Sequence, residues 1–155
     1  MAESVPSKRD FEDAYQGKPP WDIGKPQPPF VKVAEQVTGS VLDVGCGTGD
    51  NALFFAERGH KVTGIDFLEW PIELARQKAR QRGLVANFLV MDALRLDELP
   101  EVFDSAIDSG LFHVFSDEDR ARYVAGLASV LKPGGRLLLL CFSDKEPPGD
   151  GPRRI

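Results

Sequence analysis

The stretch Val41-Leu42-Asp43-Val44-Gly45-Cys46-Gly47-Thr48-Gly49 decides how this chain folds. Its first four residues read as a buried strand. The three alternating glycines read as a turn that brings backbone N–H groups against a ligand, because glycine has no Cβ to hold one off. Asp43, just ahead of the turn, suits a pyrophosphate poorly. It suits the cationic amino group of an amino-acid-bearing nucleoside, met directly or through water. Asp50 also occupies the position where a dinucleotide fingerprint requires its third glycine.

Working outward, strands and helices alternate. Pro28 and Pro29 can open a helix through Val37, with Phe30, Val33, Ala34 and Val37 on one face and Gly39 closing it. Ser40–Val44 is the first strand. After the glycine turn, Asp50–Arg58 reads as a helix with Ala52, Phe55 and Ala56 inward, stopped by Gly59. Lys61–Asp66 is the second strand. Pro71 sits in the first turn of a helix reaching Arg82, and Ala86–Met91 is the third strand. Phe103–Asp108 is the fourth. Ser116 caps a helix over Asp117–Leu131, whose acidic first turn suits the positive end of the helix dipole. Lys132-Pro133-Gly134-Gly135 predicts a tight turn, and Arg136–Phe142 a fifth strand apolar enough for burial on both faces. This alternation predicts an α/β domain with a doubly wound, parallel sheet.

With 155 residues the chain suits a single core, able to bury roughly 70% of its unfolded surface. A net charge of −5 and a pI near 5.1 argue against a broad phosphate-binding face, and so against nucleic acid as partner. Cys46 and Cys141 fit no metal spacing and predict no disulfide. The longest apolar run, 137–142, is too short for a bilayer, and the start has no apolar segment, so a soluble cytoplasmic protein with no membrane partner and no metal is expected. Residues 1–29 hold six of the twelve prolines and read as an extended arm or lid; 30–142 form the domain, and 143–155 a flexible tail.

Ligands of open α/β sheets bind outside the carboxyl ends of the strands, and here those ends are repeatedly acidic. Asp43 and the glycine turn end the first strand, Asp66 the second and Asp108 the fourth, while Asp92 follows the third. Asp66, seventeen residues beyond Gly49, stands where a carboxylate accepts both ribose hydroxyls of an adenosine. Asp92 can accept from the adenine amino group while the Ala93 N–H donates to the ring. Each feature alone is also explained as a helix cap or a tight turn; together they read one nucleoside at three places and favour S-adenosylmethionine over NAD.

These motifs resemble the class I S-adenosylmethionine-dependent methyltransferases from Phe30 to Phe142, through 41–49, Gly64-Ile65-Asp66, Met91-Asp92-Ala93 and Leu131-Lys132-Pro133-Gly134-Gly135. The resemblance implies a Rossmann-like strand order 3-2-1-4-5 with helices on both faces. It implies that Gly45 and Gly47 line the methionine part, Asp43 organises the amino group, Asp66 holds the ribose, Phe67 packs beside the adenine, and Asp92 with Ala93 reads the adenine edge. Pro19-Pro20-Trp21-Asp22-Ile23-Gly24 is similar to a segment of the small-molecule branch that methylates thiols, halides, thiopurines and tellurite, in which it folds over the cofactor. Trp21 offers a rigid apolar face to a sulfonium.

The strand-four end, Ile107-Asp108-Ser109-Gly110, lacks the Pro-Pro-aromatic mark of base amino-group methylation, so a small acceptor is expected. Thiolates and halides need no general base. A hydroxyl would, and His113 is the candidate near the mouth. The family continues past the fifth strand with further strands that this sequence lacks, which predicts a shortened chain or an open edge at 137–142 that invites association. A noncatalytic S-adenosylmethionine-binding module and a nicotinamide-dependent oxidoreductase are the alternative functions.

Overall fold

The computed structural model describes residues 5–14, 16–17, 19 and 21–141; Phe142 and the expected 143–155 tail lie outside them. Five parallel strands form one sheet: β1 (Val41–Val44), β2 (Val62–Asp66), β3 (Asn87–Val90), β4 (Phe103–Ser109) and β5 (Leu131–Leu140). Their order is β3-β2-β1-β4-β5, as expected. β1 lies centrally, with Val41 opposite Val62 on one side and Ser105 on the other. Every residue of β1 and β2 is buried, as expected of parallel strands covered on both faces.

Helices cover both faces. Phe30 of α2 (Pro28–Lys32), Ala52, Leu53 and Phe55 of α3 (Asp50–Glu57), and Ile72, Ala75 and Ala79 of α4 (Glu69–Arg82) pack with Val41, Val62 and Phe88. On the opposite face, Tyr123, Leu127 and Val130 of α5 (Asp117–Val130) meet Leu42, Val44, Ile65 and Ala106, joined by Leu96 from a 3₁₀ segment over Ala93–Glu98. The loss of one such buried Leu or Phe would cost about 2–5 kcal/mol.

Four local expectations change. The arm carries a helix, α1 (Lys8–Ala14), because Ser7 and Asp10 cap it reciprocally: the Ser7 N–H and hydroxyl donate to Asp10 Oδ2 at 2.6 and 2.7 Å, and the Asp10 N–H donates back to Ser7 Oγ. The helix expected through Val37 stops at Lys32. Val33 breaks it with φ −107°, and Ala34–Gln36 continues as 3₁₀, which still buries Phe30, Ala34 and Val37. The turn at 132–135 is an irregularity inside β5, where the pairing jumps from Phe103↔Leu131 to Ser105↔Arg136. β5 is also not buried on both faces. Among the described residues it is one edge of the sheet, and Leu137 and Leu139 stay 38% exposed on the face opposite Leu138 and Leu140.

Candidate functional site

The ends of β3, β2, β1 and β4 open along one rim of the sheet, and the glycine turn sits over its centre. The Cys46 N–H donates to the Ile65 carbonyl at 2.8 Å, and Asp66 clasps the turn from the side. Its Oδ2 accepts the Gly47 N–H and its Oδ1 the Leu68 N–H, both at 3.0 Å. Each oxygen keeps a lone pair for a further donor. Burial raises the Asp66 pKa.

Asp43 lies beneath the turn and is 1% exposed. The backbone N–H of Ala52, in the first turn of α3, favours its charged form, yet Oδ2 has no hydrogen-bond partner. Burial first, then the negative charges of Asp108 and Asp66, pushes its pKa up to about 8. A buried acceptor left unpaired costs about 1–3 kcal/mol, and such an orphan calls for a ligand or water. A cationic donor fits both the unpartnered oxygen and the cluster of three carboxyl groups.

The glycines serve packing as well as ligand approach. At Gly49, with φ +88°, a Cβ would stand 2.8 Å from that of Ala75, so this glycine lets the turn seat on α4. At Gly45, with φ +70°, the space faces Leu111 of the loop beyond β4. Cys46 is buried, with its thiol pKa raised by burial and by Asp43 and Asp66, which leaves it unreactive.

Asp108 takes a different place from that expected of a cofactor residue. It is fully buried, and Oδ1 accepts the Leu111 N–H at 2.8 Å while Oδ2 accepts the Phe112 N–H at 3.1 Å and the Tyr123 hydroxyl at 2.8 Å. Three donors commit it to shaping the 109–115 loop, even though burial raises its pKa to about 6. Arg120 secures the same loop from α5, donating to the Phe112 and His113 carbonyls and lying over the Phe112 ring at 5.0 Å. His113 is 7% exposed, with its imidazole against Gly110, so it lies within its loop rather than open to the mouth.

Asp92 is exposed at the end of β3, and its Oδ1 accepts the Leu94 N–H at 2.9 Å, capping the 93–98 turn beside Ala93. From the axis of β1 to β3 is two strand spacings, about 10 Å, a span suited to an adenosine with its amino-acid tail. Over this rim lies the arm. Phe11 of α1 contacts Trp21 edge-on at 5.8 Å between centroids and Phe67 at 5.6 Å, forming an aromatic wall at the end of β2. Trp21 itself is 42% exposed. The sequence reading missed Phe11, whose signal is the Ser7/Asp10 cap that makes its helix. It also missed Tyr123 and Arg120, which no local pattern marks.

Among the described residues, no three His, Cys, Asp or Glu side chains could hold a metal, and no helix is long and apolar enough to cross a membrane.

Residues 41–135 match the family model described as a methyltransferase domain. The 2-heptyl-1-hydroxyquinolin-4(1H)-one methyltransferase of Mycobacteroides abscessus is 39% identical, over 94% of this chain and 70% of that protein. A probable thiol methyltransferase of Arabidopsis thaliana is 31% identical, over 96% of this chain and 68% of the relative. A solved structure reported for the conversion of a disulfide bond into a thioacetal group during echinomycin biosynthesis superposes with a TM-score of 0.84 at 42% identity, covering 89% of this chain. The present chain spans 63% of that one.

Proposed function

We propose, because this chain belongs to the methyltransferase domain family, that it moves the methyl group of S-adenosylmethionine onto a small diffusible nucleophile, a thiol, a halide or a similar anion. The observation that carries the reading is the buried, partnerless Oδ2 of Asp43 under a glycine turn, in the field of two further carboxylates. When bound, the cofactor supplies a sulfonium-activated methyl that leaves a neutral thioether behind.

The chain's own groups then bind and orient. Asp43 receives the ammonium of the amino-acid tail, directly or through water, beside Gly45 and Gly47. Asp66 offers its remaining lone pairs to the ribose hydroxyls. Asp92 accepts from the adenine amino group, and the Ala93 N–H donates to the ring. Phe67 packs against the purine, with Phe11 and Trp21 closing the wall and keeping water from the sulfonium. Alignment of this kind accounts for most of the acceleration in an in-line displacement, where effective molarities reach about 10⁵ M or more. The acceptor enters as an anion, so no base is required, and Asp108 and His113 hold the 109–115 loop that faces it. The relatives named for a thiol and for a hydroxyquinolone support a soft or acidic acceptor that ionises near neutrality.

Calorimetry with S-adenosylmethionine, S-adenosylhomocysteine and NAD tests the cofactor: the first two bind and NAD does not. A methyl-donor assay across thiols, halides and phenols tests the acceptor. Cofactor binding with no turnover on any of them would leave a noncatalytic binding module as the function.

A further inference from the structure

One short chain of hydrogen bonds joins the arm to the glycine turn. Lys78 Nζ of α4 lies 3.0 Å from Thr48 Oγ1 and 3.1 Å from Asp50 Oδ1. Thr48 Oγ1 in turn lies 3.0 Å from Asp22 Oδ2. Chemistry sets the direction of this relay. An ammonium only donates, a carboxylate accepts, and a hydroxyl has one proton to give. Lys78 therefore donates to Thr48, and Thr48 donates to Asp22.

The relay is shielded. Thr48 is 5% exposed, and the side chains of Lys78 and Asp50 are 19% and 10% exposed, so water replaces these partners poorly. Arg82 adds its charge to Asp50 from 3.8 Å. At the arm end, Asp22 Oδ1 accepts the Gly24 N–H at 3.1 Å, which turns the backbone just after Trp21. Gln27 closes the other end: its N–H donates to Asn51 Oδ1 at 2.8 Å and its side-chain amide to the Trp21 carbonyl at 3.1 Å. The 21–27 segment is thus pinned at both ends to residues 48 and 51, on either side of the step from glycine turn to α3.

We propose that Lys78, Thr48 and Asp22 form a latch that holds the 21–27 segment shut on the glycine turn, so that docking of the segment and retention of the cofactor rise and fall together. The cofactor half of this statement rests on the methyltransferase reading above; the docking half does not. Lys78 and Asp22 are positioning residues, acting through Thr48. Thr48 is the vulnerable member, because its single hydroxyl serves both neighbours and Val, of nearly the same shape, serves neither.

The test uses the full chain with Trp70→Phe, which leaves Trp21 as the one indole of the two in the sequence. Acrylamide quenching of Trp21 without ligand reports docking, and calorimetry with S-adenosylhomocysteine reports retention. Thr48→Val should raise quenching about twofold, the ratio of full exposure to the present 42%, and weaken binding about tenfold. Thr48→Ser, which keeps the hydroxyl, should restore both. Lys78→Met leaves the turn's own residues intact and should move both readouts the same way, so it decides the matter if the Val variant does not fold. Wild-type quenching in Thr48→Val or Lys78→Met would overturn the latch, as would weaker binding with Trp21 still protected. A parent chain that binds no S-adenosylhomocysteine would refute the methyltransferase reading instead, while the quenching comparison would still judge the latch.

Discussion

Replacing Asp43 with Asn should stabilise the ligand-free protein and cripple cofactor binding. The folded carboxyl titrates near 8 because it is buried beside Asp108 and Asp66; in the unfolded chain it titrates near 4. With the folded value above the unfolded one, the stability gained from the bound proton is complete below about pH 4 and is lost as pH rises towards 8. Between pH 5 and 8 this amounts to about three units at 1.4 kcal/mol each, on the order of 4 kcal/mol. Asn carries no charge at any pH in this range, so it avoids that loss. Relative to wild type, Asp43→Asn should therefore gain on the order of 4 kcal/mol from pH 5 to pH 8, roughly 8–16 °C in thermal midpoint at about 2–4 °C per kcal/mol. Thermal unfolding followed by circular dichroism at pH 5, 6, 7 and 8 measures the gain. Calorimetry at the same pH values should show wild-type affinity for S-adenosylmethionine rising with pH as Asp43 ionises to meet the ammonium, and the variant binding at least about tenfold more weakly with that dependence gone. Midpoints that run parallel across the range would refute the reasoning, since the unpaired buried carboxyl would then not be titrating at all.

Gly49→Ala puts a Cβ 2.8 Å from that of Ala75 at φ +88° and should cost about 3 kcal/mol in urea unfolding, with loss of cofactor binding. Tyr123→Phe removes one of three donors to Asp108 and should cost about 1–2 kcal/mol by the same measurement. Phe11→Ala opens the aromatic wall at Phe67 and should weaken S-adenosylhomocysteine binding about fivefold to tenfold by calorimetry, leaving the unfolding midpoint nearly unchanged. His113→Gln should keep thiol methylation within about twofold of wild type in a steady-state assay; a hundredfold fall in kcat, with the fold intact, would return His113 to the role of base.

The sequence by itself determined the strand order's ingredients and the location of the candidate site. Apolar runs ending in Gly45, Asp66, Asp92 and Asp108 are short-range patterns, and a parallel sheet converts them into a common rim because every strand points the same way. The arm's helix was written there too, in Ser7 and Asp10, although the prolines around it obscured the cap.

Only the tertiary structure decided what each acid does. Asp43 and Asp108 look alike at the ends of adjacent strands, yet Tyr123, fifteen residues beyond Asp108, and the backbone of residues 111 and 112 saturate one carboxylate while the other keeps an oxygen without a partner. The same holds for Thr48, whose partners lie 26 and 30 residues away on the arm and on α4. Hydrogen-bond saturation and burial depend on groups distant in the chain, and a carboxylate's charge, pKa and availability to a ligand follow from those groups rather than from its neighbours in sequence.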